Sequence, residues 1–345
     1  MVERWIELAR ISLIPGISLV GANPGVVNEI YELLRFFPYA VRFSLYGEWQ
    51  SNAYKYNPEL KLKASETEKE TKGILRRISK QDVKRFGRAL AKVSTSNPLV
   101  LWAIGINQIE FYDNFVEVVV DAAKFSTNLG YDVLVFVILS SLASPYKSRV
   151  KEDGTSIASW LIGLSGFCAK LFRRYASMDA SIITSYVTCQ LKRGSLYDLI
   201  VLRDLITQMT GILIPENFSD HQLRCYSGGD GLKEQGLSVL RDPGMSGGWK
   251  KTSVRLLKAL ANTEATSVLM VLISQERTSS VFSLDGEYTS NLKLLGNLFD
   301  EVHTHLKRNQ LTLSVMECCF NSTSLLLRTW TQWPLSGNCL HLEIL

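Results

Sequence analysis

The stretch from Glu70 to Leu101 reads ETKGILRRISKQDVKRFGRALAKVSTSNPLVL and predicts two consecutive helices. Its second half carries an apolar residue every three or four positions, at Val83, Phe86, Leu90 and Val93. This spacing places apolar side chains on one face of a helix. Ser79-x-x-Asp82 is a variant of the capping box, so a new helix is expected to begin near Lys80. The stretch therefore predicts a helical hairpin rather than one long helix.

The same stretch carries a basic face, formed by Arg76, Arg77, Lys80, Lys84, Arg85, Arg88 and Lys92. Between Lys61 and Lys92, eleven Lys or Arg stand against four Asp or Glu, whereas the net charge of the whole chain is only +5. Such a face is expected either to contact phosphate groups or an acidic protein surface, or to be a solvated helix surface. No aromatic residues interleave with the charges as a stacking platform requires, so RNA and acidic protein stay equally open.

The rest of the chain is also helical in pattern, with helices predicted at 24–37, 66–78, 80–94, 98–109, 113–127, 131–143, 155–175, 179–192 and 196–210. Asn-Pro pairs at Asn23, Asn57 and Asn97 mark helix starts, because Asn supplies the capping oxygen and Pro tolerates the first turn. Successive hairpins without convincing β alternation predict an all-α fold. We expect an α-solenoid of antiparallel helix pairs in right-handed stacking, with HEAT-like units and no substantial sheet.

Composition divides the chain into five parts. Residues 1–60 are expected to be the end of an N-terminal helical segment, and residues 61–225 a helical-repeat domain. Residues 226–249 are rich in glycine and predict a flexible loop, and residues 250–310 predict further helical pairs. The tail at 311–345 has few charges and no clear helix caps, so it is expected to be foreign to the rest of the chain.

No candidate for catalysis, cofactor binding or metal binding meets the spacing that its chemistry needs. Gly248-Trp249-Lys250 resembles a phosphate-binding loop, but Trp249 stands where such a loop needs glycine before the lysine. His303 and His305 diverge on a helix, and Cys318-Cys319 lies too far from other ligands for a zinc site. No serine or cysteine lies in a nucleophile elbow. We therefore expect no enzyme activity, no cofactor, no metal and no small-molecule substrate.

The N-terminus and the cysteines indicate the compartment. Charges occur within the first ten residues, so no signal peptide is predicted, and the longest apolar run is far shorter than the roughly 20 residues that a membrane span needs. The six cysteines are scattered without a CxxC pair. This usage indicates a reducing, intracellular environment and no membrane partner.

Five sequence words together resemble the THO complex subunit 2 family: Ile6–Leu19, Gly21–Trp49, Glu70–Leu101, Gly130–Leu134 and Asp153–Trp160. The resemblance continues weakly to about Arg308. It implies a nuclear, non-enzymatic scaffold that couples transcription and mRNA processing to mRNA export. It also implies a MIF4G-like helical module that holds other THO subunits and a DEAD-box RNA helicase, with RNA reached through the complex.

The resemblance also bears on the ends of the chain. Family members are several times longer, so we expect this chain to be a fragment or a truncated form, with 311–345 as non-family sequence. The second function that stays open is a stand-alone helical module that binds RNA through the basic face. Both functions use the same seven cations.

Overall fold

The computed structural model of the chain describes residues 2–77, 82–112, 114–154, 156–213, 229–240, 248–263, 265–282 and 296–306, with the single positions 221, 224, 293 and 294. Apart from isolated β-bridging residues such as Val150 and Ile157, the regular structure of this described part is helical. The all-α prediction is confirmed.

The helices are α1 (Val2–Leu8), α2 (Ile14–Val20), α3 (Pro24–Leu34), α4 (Tyr39–Glu48), α5 (Tyr54–Tyr56), α6 (Pro58–Leu75), α7 (Val83–Ser96), α8 (Pro98–Phe111), α9 (Phe115–Ala122), α10 (Asn128–Leu142), α11 (Ser159–Arg174), α12 (Ala180–Lys192), α13 (Leu199–Thr210), α14 (Asp230–Val239), α15 (Trp249–Asn262) and α16 (Ala265–Phe282). Two π-helical segments, π1 (Ala9–Leu13) and π2 (Trp49–Ala53), join α1 to α2 and α4 to α5. Residues 296–306 are also helical.

The three Asn-Pro pairs all precede a helix, but only two of the asparagines cap it. Asn23 and Asn57 each accept a hydrogen bond from a backbone N–H of the first turn, at 3.1 and 3.0 Å. Asn97 makes no such bond. Its buried side chain instead accepts from the Tyr54 hydroxyl at 3.1 Å and donates to Thr67 Oγ1 at 3.2 Å. The capping prediction is therefore wrong for Asn97, because tertiary packing offers that side chain other partners.

Helix α6 begins at Pro58, eight residues before the predicted start. Most polar residues of this helix lie on its exposed side. Two ion pairs within the helix, Lys63–Glu66 at 2.8 Å and Lys72–Glu68 at 2.5 Å, join residues three or four positions apart. Such pairs stabilise a surface helix by a few tenths of a kcal/mol each.

Helix α7 begins at Val83, not near Lys80 as the capping box predicted. Asp82 occupies the N-cap position and makes no side-chain capping bond. Ser79 and Lys80 lie outside the described residues. The division of the stretch into two helices is nevertheless confirmed, because α6 ends at Leu75.

Several helices pack against the helix two places along the chain, and others pack against more distant helices, as α8 does against α11. Helix α8 contacts both α6 and α10, α7 contacts α9, and α11 contacts α13. Stacked antiparallel hairpins need this kind of contact, because each hairpin buries its apolar side against its neighbour. The α-solenoid of antiparallel helix pairs and the right-handed sense of its stacking stay predictions.

One cluster of buried apolar side chains runs from Ala9 to Val302. A buried polar network joins the N-terminal helices to the helices that form the rest of this cluster. Arg42 of α4 donates to both carboxylate oxygens of Asp132 on α10, at 2.8 and 3.0 Å, and the Tyr46 hydroxyl donates to the same carboxylate at 2.9 Å. The helices of residues 1–60 thus share their core with the helices that follow.

Part of the glycine-rich stretch differs from the predicted loop. Residues Asp230–Val239 form helix α14. Glycine lowers helix stability by only about 1 kcal/mol per position, so two interior glycines do not prevent a short packed helix. Residues 241–247 and the predicted tail at 311–345 lie outside the described residues.

Among the described residues, no single helix has both the length and the apolar composition to cross a membrane. The bent pair formed by Trp249–Asn262 and Ala265–Ser279 meets those limits only when its two helices are taken together. The apolar helix α10 is mostly buried in the core.

Candidate partner interface

The predicted basic face is exposed wherever the structure describes it. Six of its seven members lie at the surface: Arg76, Arg77, Lys84, Arg85, Arg88 and Lys92. Lys80 lies outside the described residues, so its position in the face stays a prediction. We call the six cations the basic surface.

Helix α7 presents four of these cations because its opposite side is buried. Leu90 and Val93 are each only 4% exposed and anchor the helix to the core. Lys84, Arg88 and Lys92 follow one another at four-residue steps, which places them in a row along the solvent side. The spacing of apolar and basic residues in the sequence thus makes α7 an amphipathic helix, with one buried and one basic side.

The other two cations occupy the turn after α6. The Arg76 N–H donates to the carbonyl of Lys72 at 3.1 Å, and the Arg77 N–H donates to the carbonyl of Ile74 at 3.0 Å. Leu75 beside them is buried. These bonds extend the helix by a turn and hold both arginines at the surface.

Within the described part of the chain, none of the six cations forms an ion pair. Cations elsewhere on the surface do: Lys63 pairs with Glu66 on α6, and Arg174 of α11 pairs with Asp121 of α9. Among the described residues, an anionic partner of the basic surface therefore meets no ion-paired carboxylate that it must displace. Unpaired clustered charges also attract such a partner over about a Debye length, near 8 Å at physiological salt.

The structure adds one aromatic ring to the edge of the basic surface. The ring of Phe125, in the 3-10 turn Ala123–Phe125, packs directly on Gly87 of α7, so that a Cβ at position 87 would lie 2.8 Å from Phe125 Cδ2. Phe125 is 36% exposed, and Lys124 beside it is exposed. Sequence reasoning missed both residues because they lie 38 and 37 positions from Gly87; only the glycine in an otherwise regular helix hinted at a close approach.

The described residues contain no group of three or more His, Cys, Asp or Glu side chains that could hold a metal ion. His305 is buried and lies 3.4 Å from Glu301, and the ring of His303 stacks on Phe299. Burial raises the pKa of the Cys168 thiol, which therefore stays protonated. The cysteines at 318, 319 and 339 lie outside the described residues.

The candidate phosphate loop is a helix start with its side chains already engaged. Gly248, with φ of 82°, precedes α15, and the Lys250 ammonium lies 5.6 Å from the centre of the Trp249 ring. Thr252 Oγ1 donates to the carbonyl of Met209 at 2.6 Å. A nucleotide site needs that hydroxyl and that ammonium for the phosphates and their metal ion.

An open cavity of about 710 Å³ lies between the two π-helical segments. Arg10 of π1 and Glu48 of α4 pair across it at 2.6 Å. Its wall includes exposed Ile11 and Tyr56 and buried Trp49. No nucleophile or acid–base pair lies in this wall. The cavity can therefore accommodate a group beside an ion pair, but it carries no catalytic side chains.

Known proteins match the sequence along most of the chain. Residues 1–88 match a family model described as THO complex subunit 2 N-terminus, and residues 90–165 match one described as transcription- and export-related complex subunit. The chain is 38% identical to THO complex subunit 2 of Homo sapiens over 296 residues, which is 85% of this chain. The chain belongs to the THO complex subunit 2 family. Within this family it is also 34% identical to the Arabidopsis thaliana protein over 297 residues and 30% identical to the Saccharomyces cerevisiae protein over 305 residues.

The chain spans only 18%, 16% and 19% of the length of these human, plant and yeast relatives. The same alignments include 84% to 88% of the residues of this chain. The two family models meet between residues 88 and 90, inside α7. That boundary is therefore not a boundary of folding in this family member, because the helix and the core continue through it.

Proposed function

We propose that the chain is a non-enzymatic scaffold segment of a THO-type transcription–export complex. In this role it acts in the nucleus and couples transcription and mRNA processing to mRNA export, while holding other THO subunits and a DEAD-box RNA helicase. The relatives are named as subunits of the THO complex, and the proposal takes the complex from those names. The observation on the chain itself that supports a docking role is the basic surface, whose six exposed cations have no ion-pair partner among the described residues.

The partner of the basic surface is best described as an acidic protein surface. Single-stranded RNA binding favours successive aromatic rings on which bases stack, at about 1–3 kcal/mol per base. Phe125 borders the basic surface, and its ring is already packed on Gly87. A row of cations on a rigid helix instead suits a row of carboxylates, since charge complementarity sets orientation and speeds association.

The test is a reconstitution with the other THO subunits and with a DEAD-box helicase. Lys84→Glu with Arg88→Glu reverses two adjacent charges of α7. The matched control is Lys250→Glu with Lys251→Glu, which makes the same charge change at exposed positions in the first turn of α15, where acidic residues are tolerated. We expect the α7 variant to lose co-purification or helicase ATPase stimulation by at least tenfold, and the control to retain both. Equal behaviour of the two variants would remove the basic surface from the proposal.

The alternative is a stand-alone helical module that binds RNA through the same surface. The exposed Lys124 and Phe125 beside Gly87 favour this alternative, because they add a cation and a stacking ring to the edge. Single-stranded binding by six cations predicts a log–log salt slope of about −4, at roughly 0.7 per phosphate. Removing two cations should reduce that slope by about 1.4. RNA affinity of the isolated chain with this salt dependence, together with no effect on subunit assembly, would favour the alternative.

A further inference from the structure

The loop between α10 and α11 carries the sequence Ser144-Pro145-Tyr146-Lys147. We propose that Ser144 is a phosphorylation site for a proline-directed protein kinase, and that its phosphate takes Lys147 away from the buried carboxylate of Glu110. The site is independent of the basic surface and of the function proposed for it.

The hydroxyl of Ser144 is not engaged within the described residues, whereas those of Ser141 and Ser148 are. Ser141 Oγ donates to Glu110 at 2.5 Å, and Ser148 Oγ donates to the carbonyl of Val150 at 2.7 Å. The Ser144 hydroxyl makes no hydrogen bond there. A free hydroxyl can enter a kinase active site without first breaking an internal bond.

The residues around Ser144 are accessible to an enzyme. Pro145 is exposed and Tyr146 is 96% exposed, so the segment after the serine stands clear of the protein. The segment before it is the last turn of α10, which ends at Leu142. Leu142 is fully buried and its carbonyl accepts a hydrogen bond from Arg149, so a kinase must reach Ser144 from the exposed side that carries Pro145 and Tyr146.

The sequence also matches what a proline-directed kinase selects. Ser144-Pro145 is the one place in the whole chain where a serine or threonine precedes proline. Proline has no N–H and a fixed φ near −65°, so it fits an apolar groove that offers no hydrogen-bond acceptor at that position. Lys147 adds a cation three residues after the serine, where an acidic patch on the kinase can contact it.

The reaction is an ordinary phosphoryl transfer with a nucleoside triphosphate as the donor. The Ser144 oxygen attacks the γ-phosphorus of ATP, its proton passes to the catalytic base of the kinase, and ADP leaves with the oxygen of the broken bond. The product carries about −1.5 to −2 charge at neutral pH and three strong acceptor oxygens.

The new charge arises beside an existing buried ion pair. Lys147 Nζ lies 2.6 and 2.8 Å from the two carboxylate oxygens of Glu110, whose side chain is only 6% exposed. A phosphate three residues away competes for that ammonium, which is 30% exposed and also lies 2.8 Å from Ser141 Oγ and 5.2 Å from the centre of the Trp160 ring. The phosphate also follows the C-terminal end of α10, where negative charge opposes the helix dipole. Glu110 is then left as a buried carboxylate without its cation, which is costly.

The first experiment incubates the full chain with a purified proline-directed kinase of the cyclin-dependent class and Mg-ATP, and locates phosphate by peptide mass spectrometry. We expect stoichiometric phosphate at Ser144. Ser144→Ala should abolish that modification, and Pro145→Ala, which keeps the hydroxyl, should slow it by at least tenfold. Phosphate found only at other residues, or equal rates for the Pro145 variant, would overturn the assignment.

The second experiment tests the consequence. The phosphorylated chain should melt at least about 2 °C below the unmodified chain, since about 1 kcal/mol shifts Tm by 2–4 °C in domains of 150–250 residues. In Glu110→Gln no buried carboxylate is left without a cation, so phosphorylation should lower Tm by clearly less than in the unaltered chain, with only the unfavourable helix-dipole effect remaining. The same drop in Tm in Glu110→Gln would show that Lys147 and Glu110 do not sense the phosphate.

Discussion

Replacing Asp132 by alanine should release the N-terminal helices from the rest of the fold. Asp132 accepts two hydrogen bonds from Arg42, at 2.8 and 3.0 Å, and one from the Tyr46 hydroxyl at 2.9 Å. The two charged side chains are only 13% and 7% exposed. The substitution therefore leaves one buried cation and one buried hydroxyl without their acceptor.

The expected cost is about 3 kcal/mol, the lower end of the range for removing one partner of a buried ion pair. The lower end applies because Arg42 keeps a 2.9 Å bond to the carbonyl of Phe37 and retains some access to water. Tyr46→Phe, which removes one of the three bonds and leaves the ion pair, should cost about 1–2 kcal/mol.

Native-state hydrogen exchange is the assay, because the network joins α4 to α10 rather than closing the whole fold. A loss of 3 kcal/mol should raise the exchange rate of amides in Tyr39–Glu48 by roughly a hundredfold, at 1.36 kcal/mol per decade. Amides of α12 and α13 should change much less. The double variant Arg42→Ala, Asp132→Ala should cost clearly less than the sum of the single variants. Strict additivity would refute a coupled network, and equal acceleration throughout the chain would refute a local clamp.

Three further perturbations probe other parts of the fold. Asn57→Ala should lower the free energy of unfolding by about 1 kcal/mol through loss of a helix cap, and Asn97→Ala by about 2 kcal/mol because it removes two hydrogen bonds in a largely buried site; urea denaturation measures both. Gly87→Ala should cost about 1–3 kcal/mol and lower Tm, because its Cβ would overlap the aromatic ring packed on that position. The His305 ring, 3.4 Å from the Glu301 carboxylate, and the Arg203 guanidinium, 2.7 Å from it, hold the pKa of Glu301 at about 2, below its ordinary 4.5. That stabilisation is present above pH 4.5 and is lost as pH falls towards 2, so Glu301→Gln should flatten the acid limb of the stability–pH curve.

Each of these has a contradicting result. Equal costs for the two asparagine variants would show that the buried position is no more than a cap. An unchanged Tm for the glycine variant would mean that the ring moves aside freely. An unchanged acid limb in Glu301→Gln would mean that this carboxylate keeps an ordinary pKa in the folded chain.

Local sequence rules predicted most of the helices because their signals are local. Pro at the first turn marked α3, α6 and α8, and apolar periodicity marked α7. The rules failed where local and tertiary demands differ. Asn97 reads as a helix cap from its neighbours in sequence, yet Tyr54 and Thr67 are better partners once the helices are packed.

The candidate interface divides in the same way. The row of cations on α7 was visible in the sequence, since a four-residue step fixes which side of a helix a residue occupies. Their lack of ion-pair partners was not, because it depends on where carboxylates of distant helices lie. Phe125 reached the edge of the basic surface for the same reason.

By itself, then, the sequence determined the all-α class, most helix positions, the basic face and the family. These follow from periodicity, capping residues and long stretches of sequence similar to the family, all of which are local features of the sequence. Tertiary structure alone decided that Asp132 would bind Arg42, 90 residues away, and that an aromatic ring would pack on Gly87. It also decided that the Ser144 hydroxyl would make no hydrogen bond within the described residues, whereas the hydroxyl of Ser141 would bind Glu110. The physical reason is that burial and hydrogen bonding depend on which helices pack together, and that is a property of the whole core.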